Sequence, residues 1–154
     1  MKLSTTLLAA AALTSLPATA MAQLTPFEDY TVSDSVSIVT TVRVNANMMG
    51  YYLEGIRNTW AASNDVAKRL GQIEDYSIFI SDLPNSGDFN LLLVVSFANT
   101  AALGPNQAQY EEFMREWGEA NQEMATEVSN TVYPNIRELT GDYQMRELTL
   151  NPQE

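Results

Sequence analysis

The stretch NLLLVVSF, from Asn90 to Phe97, carries apolar side chains on both alternating faces of a strand. Successive side chains of a strand point to opposite sides of the sheet, so a strand with one wet face alternates apolar and polar residues. A strand that is apolar on both sides needs cover on both sides. The rest of the chain offers two helical segments, enough for one face of a sheet. Cover for the second face has to come from outside the fold, and a second copy of the chain supplies it most simply.

From Val36 to Val44 the apolar residues Val36, Ile38, Val42 and Val44 alternate with Ser37, Thr41 and Arg43, the pattern of a half-buried strand. Asn45, Ala46 and Asn47 then offer a helix cap. Met49, Tyr52, Leu53, Ile56, Trp60, Ser63, Ala67 and Leu70 recur at three- and four-residue steps, which predicts a helix closed by the basic turn Lys68-Arg69 and by Gly71. Tyr76, Ile78 and Ile80 alternate with Ser77, Phe79 and Ser81. They lead through the turn-rich LPNSGD into the opening stretch, which predicts a hairpin. After Gly104-Pro105 a second helix carries Tyr110, Phe113, Met114, Trp117, Asn121, Met124 and Val128 on one side. Tyr133-Pro134 bends it, and Ile136 and Leu139 give it a last turn before Gly141. A final strand is expected over residues 143–150, YQMRELTL.

The order is therefore β-α-β-β-α-β, an α+β, ferredoxin-like arrangement: a four-stranded antiparallel sheet with two helices on one face. The spacing Trp60…Asn64 and Trp117…Asn121 repeats between the helices and agrees with a duplicated βαβ unit. Leu91, Leu93, Val95 and Phe97 face the helices beside Ile38 and Val42. Leu92 and Val94 then lie on the bare face with Val39, Thr41 and Arg43, with Phe79 as a further candidate. This mixed, moderately apolar patch predicts a homodimer whose sheets meet face to face.

These elements resemble those of the dimeric α+β barrel superfamily, which includes the antibiotic-biosynthesis-monooxygenase-like proteins. The similarity runs over Ser35 to Leu150 and rests on the element order, the passage VRVNANMMGYYLEGI and the strand FNLLLVVSFAN. The resemblance implies a ferredoxin-like subunit and a two-fold dimer forming a barrel of two sheets. In some members it implies a ligand pocket between sheet and helices. Activities in the superfamily include cofactor-independent oxygenation of aromatic substrates, haem degradation, and decarboxylation or dismutation of small molecules. The haem-degrading members use an Asn, a Trp and a proximal His, and this chain contains no His.

The first residues, MKLSTTLLAAAALTSLPATAMAQ, combine a single early Lys2, a short apolar run and the small-residue site Ala20-Met21-Ala22. This predicts a secretory signal peptide over 1–22, cleaved after Ala22, and a periplasmic or secreted location. The run is too short to span a bilayer, so no membrane insertion is expected after cleavage. An N-terminal extension over 23–34, the barrel domain over 35–150 and a tail over 151–154 complete the expected organisation. Lys and Arg number 8 against 19 Asp and Glu, a net charge of −11, and cleavage removes Lys2 from the basic side. Nucleic acid and anionic membranes are poor partners for such a surface. Without cysteine, stability has to come from packing or association.

With neither His nor Cys, the commonest general base, the thiol nucleophile and the usual transition-metal ligands are missing. No metal site and no cofactor are expected. Asp82, Asn85 and Asp88 lack the alternate-position oxygens of a calcium loop and read as a hairpin turn. The remaining constellation is aromatic and amide: Trp60 with Asn64 and Trp117 with Asn121 share helix faces with Tyr52 and Tyr110. One reading is a cavity in which the indoles stack on a flat organic ligand and the amides orient it. The alternative is that both indoles simply fill the core. Arg43 calls for a carboxylate, with Glu147 as the candidate, or else receives an anion. Tyr76, Tyr133 and Tyr143 are available as proton donors.

Three functions remain open at this point. The chain is a binder of a small apolar or aromatic molecule, a cofactor-independent monooxygenase-like enzyme, or a structural or protein-interaction module without a pocket.

Overall fold

The computed structural model describes residues 23–83 and 86–152. The expected signal peptide and its cleavage site, the turn residues Pro84 and Asn85, and the end of the expected tail lie outside the described residues. The central sheet contains β2 (Val36–Val44), β3 (Asp75–Ile80), β4 (Leu91–Phe97) and β5 (Arg137–Met145), in the order β3-β4-β2-β5 and antiparallel throughout. Helices α1 (Met49–Ile56) and α2 (Ala62–Arg69) follow β2, and α3 (Gln107–Trp117), α4 (Glu119–Thr131) and the single turn α5 (Tyr133–Ile136) follow β4. This is the expected α+β, ferredoxin-like βαββαβ fold, with β2 and β4 central. Two short strands, β1 (Tyr30–Val32) and β6 (Leu148–Leu150), pair with each other in a separate ribbon that fastens the N-terminal extension to the end of the domain.

The register settles which residues share a face. Val36, Ile38, Thr40 and Val42 oppose Phe97, Val95, Leu93 and Leu91, while Val39 opposes Val94 and Thr41 opposes Leu92. The first set meets the helices: Val42, Val44, Leu91 and Leu93 form one buried cluster with Tyr52, Ile56 and Tyr133. Asn90 extends the β2–β4 ladder with its side chain, accepting from the Val44 amide at 2.8 Å and donating to the Val44 carbonyl at 2.9 Å. The second set faces away from the helices, where the register adds Phe79 on β3 and Tyr143 and Met145 on β5. Val39, Leu92 and Val94 are half-buried there, while Phe79, Tyr143 and Met145 are each more than half exposed.

Four expectations need correction. First, the last sheet strand is Arg137–Met145, and residues 148–150 pair with β1 instead. A bulge between Thr41 and Val42 on the β2 side leaves Thr140 without a partner and breaks the alternation that marks a strand. Second, the amides of Asn45 and Asn47 do not cap α1: its N-cap is Met48 without a side-chain bond. Asn45 reaches the Asn135 carbonyl at 3.2 Å, and Asn47 turns the chain with φ at 63°. Third, the second helix is two. Gly118, with φ at 85°, ends α3 and begins α4, a conformation a side chain would strain. Fourth, Arg43 pairs with Asp88 at 3.7 Å and donates to the Gly87 carbonyl rather than meeting Glu147. Glu147 lies at the opposite end of β2, where its carbonyl accepts from the Ser33 amide.

Between α1 and α2 the helix passes through a π-helical segment, Arg57–Ala61, without breaking. The wider turn places both Thr59 and Trp60 inward; Thr59 is buried and Trp60 half-buried. The Thr59 hydroxyl bonds the Gly55 carbonyl at 3.0 Å and the Tyr133 phenol at 2.7 Å. Gly55 is required for that approach: a Cβ there would lie 2.9 Å from the Tyr133 ring. The helix ends as expected, with the amides of Gly71 and Gln72 bonding back to Lys68 and Ala67.

Candidate functional site

Sheet and helices do not close completely on each other. Between them lies a cavity of about 380 Å³. Its floor is Thr40 of β2, Leu93 of β4 and Arg137, Leu139 and Asp142 of β5. Tyr52, Ile56, Thr59, Trp60 and Ser63 come from the first helical segment, Phe113 and Trp117 from α3, Gln122, Ala125 and Ser129 from α4, and Tyr133 from α5. The alternating face of the sheet supplies aliphatic carbon, the π-helical turn brings in Thr59 and Trp60, and the break at Gly118 redirects α4 so that Ala125, a small residue, faces the space.

The aromatic side chains support one another. Trp60 stands edge-on to Tyr76 with ring centres 5.3 Å apart, Tyr52 meets Tyr133 edge-on at 5.2 Å, and Phe113 stacks near Trp117 at 6.3 Å. Arg137 brings its guanidinium carbon to 5.1 Å from the Tyr133 ring centre and 5.8 Å from that of Tyr52. Most polar groups in the wall are already bonded: Thr40 donates to Asp142 at 2.6 Å, and Ser63 to the Trp60 carbonyl at 2.9 Å. Arg137 is the exception. Its Nε is the one buried side-chain nitrogen or oxygen without a hydrogen-bond partner among the described residues.

Of the six residues singled out as ligand contacts, the cavity wall contains Tyr52, Trp60 and Trp117. Asn64 and Asn121 do not line it. Each turns its amide back onto its own helix, donating to the Trp60 carbonyl at 2.7 Å and the Trp117 carbonyl at 2.6 Å. The repeated Trp and Asn spacing is thus a local helix bond made twice. Tyr110 is 64% exposed on the outer side of α3. Arg137, Thr59 and Tyr133 were not singled out as contacts: Arg137 falls within the last turn of helix expected around Ile136 and Leu139, where the chain is strand from Arg137 onward, and Thr59 is brought inward by the π-helical turn. On the open face, Thr41 is buried, and its hydroxyl is used within the chain, donating to the Gly141 carbonyl and accepting from Thr140.

Burial pushes the Tyr52 phenol up to about 12, with the Arg137 charge pulling the other way. Tyr133 is raised too, by burial, against its bond to Thr59 and the Arg137 charge. The hydrogen bond to Asp65, 2.7 Å long, and then burial push Tyr76 up to about 12. Above pH 10 the unfolded chain releases phenolic protons that the folded chain still holds, so stability, complete below that point, falls as pH rises toward 12. Denaturant midpoints measured across this window should fall, and Tyr52→Phe should make the fall shallower. An unchanged slope in Tyr52→Phe would show that Tyr52 ionises freely in the folded protein.

Among the described residues no cluster of acidic side chains is placed to hold a metal ion, and no helix is long and apolar enough to cross a membrane. No protein-family model matches the chain, and no curated protein does. Solved structures do resemble it. A Shewanella oneidensis protein is 12% identical, with 78% of this chain and 98% of that one covered and a TM-score of 0.49. A dimeric protein of ferredoxin-like fold from Bacteroides fragilis is 8% identical over 79% of this chain and 100% of that one, with a TM-score of 0.39. A variant of SnoaB, a cofactor-independent oxygenase from Streptomyces nogalater, is 11% identical over 79% and 97%, with a TM-score of 0.36. The strand order of the chain itself defines a ferredoxin-like fold.

Proposed function

We propose that this chain is a secreted homodimeric α+β barrel protein that binds a small apolar or aromatic molecule between its sheet and its helices. The observation that carries the reading is the cavity of about 380 Å³, walled by Trp60, Phe113 and Trp117. It falls in the size range of small-molecule sites, which combine apolar walls with a few placed polar groups. A chain serving only as a structural module would gain stability by filling that space. The Asn64 and Asn121 amides, expected to orient the ligand in such a cavity, are engaged on their own helices, so the aromatic wall alone supports the reading. The dimer rests on the open sheet face, where Val39, Leu92 and Val94 are flanked by Phe79, Tyr143 and Met145. Secretion rests on the N-terminal segment MKLSTTLLAAAALTSLPATAMA.

The test is to fill the cavity. Ala125→Phe puts a ring into the space from α4. Titration with naphthalene, followed by quenching of tryptophan fluorescence, should saturate in the parent protein. In Ala125→Phe it should weaken by about tenfold or more, the scale of losing one buried hydrophobic contact area, with thermal stability retained. Equal quenching in both proteins would place the binding elsewhere and remove the reading.

A further inference from the structure

We propose that the natural occupant of the cavity is an organic anion, an apolar or aromatic body bearing a carboxylate, and that Arg137 receives the carboxylate. This rests on the cavity being a ligand site, and it adds the chemical class of the ligand.

The Arg137 guanidinium is only partly satisfied. Arg137 opens β5 opposite Val44, on the side of the sheet that faces the helices, and lines the cavity. Among the described residues the ion pairs are made by Arg43, Arg57, Lys68 and Arg69, and none involves Arg137. Its Nε is buried without an acceptor. An arginine cannot escape this cost by losing its proton, as a lysine or histidine would. The Tyr52 and Tyr133 rings offset part of the charge. The Tyr52 phenol also lies within hydrogen-bonding reach of the guanidinium, and Nε–H still has no acceptor.

A carboxylate meets that need in one geometry. Approaching the guanidinium from the side, its two oxygens take Nε–H and a neighbouring Nη–H together, the paired arrangement that favours arginine wherever carboxylates are recognised. The surroundings suit such a ligand. Tyr52 stays protonated at neutral pH and brings no competing negative charge. The one carboxylate in the lining, Asp142, is exposed and held by Thr40. Trp60, Phe113 and Trp117 offer aromatic surface to the rest of the molecule.

The protein's overall charge of −11 acts against anions at a distance. At physiological salt, charges more than about 8 Å away are largely screened, whereas a cation in contact with the ligand in a desolvated cavity is not. The local arginine therefore outweighs the dispersed acids.

The probes are 2-naphthoate and its uncharged amide, 2-naphthamide, titrated separately into the full protein by calorimetry. Naphthoate should bind about tenfold or more tightly, the scale of a charge-assisted pair over a neutral contact. Arg137→Met should remove the preference, lowering naphthoate affinity far more than naphthamide affinity, and Arg137→Lys should retain part of it, since it keeps the charge and loses the paired geometry. Equal affinities for the two probes in the parent protein would overturn the anion assignment and leave the small-molecule reading standing. Binding of neither probe would overturn both. A preference that survives in Arg137→Met would overturn the role of Arg137. If Arg137→Met does not fold, the parent comparison and Arg137→Lys decide.

Discussion

Val94→Glu is expected to break the proposed homodimer into monomers. Val94 sits on a central strand, opposite Val39 of β2 and Ser77 of β3, in the middle of the face that carries no helix. Phe79 and Leu92 are paired beside it. A carboxylate there would be desolvated on association with no cation of the same face close by in register: Arg43 lies at the far end of β2 and is engaged by Asp88. An uncompensated buried charge costs several kcal/mol, ~3–5 when a buried pair is broken, which exceeds what most interfaces can lose. On a wet sheet face the same substitution would be nearly neutral. Light scattering separates the two. A variant that stays dimeric with unchanged stability would put the interface elsewhere.

Trp117→Ala is expected to cost about 3 to 5 kcal/mol of folding stability, the scale for deleting a buried indole. Trp117 is 5% exposed, stacks near Phe113, and occupies the last position of α3, directly before the glycine that turns the chain into α4. Truncation therefore enlarges a space that is already open and loosens the join between the two helices. The loss is a large part of the ~5–15 kcal/mol that holds a domain together. A urea unfolding series would show it as a lower midpoint. A change near zero, accompanied by loss of naphthalene binding, would instead mean that Trp117 contributes to the ligand wall and little to the core.

The open face that carries Val94 is legible in the sequence itself. Period-two alternation in Val36–Val44 and the register of NLLLVVSF follow from a strand's geometry, so the division between helix-covered and open residues needed no tertiary information. What alternation cannot show is a place where it is interrupted. The bulge at Thr140 shifted the reading of β5, and with it Arg137, the residue that gives the cavity its positive charge. The π-helical turn at Arg57–Ala61 was invisible for a related reason: it changes the phase of the stripe by one residue without changing its composition. Asn64 and Asn121 misled because a four-residue spacing that aligns two side chains on a helix also lets the second bond the first one's carbonyl.

Arg137 also shows how a site can hide in an ordinary pattern. In sequence it stands in NIREL, where an arginine near a helix end is commonplace. Only the pairing of β5 with Val44 turns it toward Tyr52 and Tyr133, and only the missing acceptor at Nε distinguishes it from a stacked surface arginine.

Native mass spectrometry of the protein recovered from the cells that make it examines dimer and cavity at once. The account predicts an ion of twice the chain mass that carries a discrete small organic addition, lost when the gas-phase collision energy is raised. A solitary chain, free of any added mass under the gentlest conditions, would contradict it.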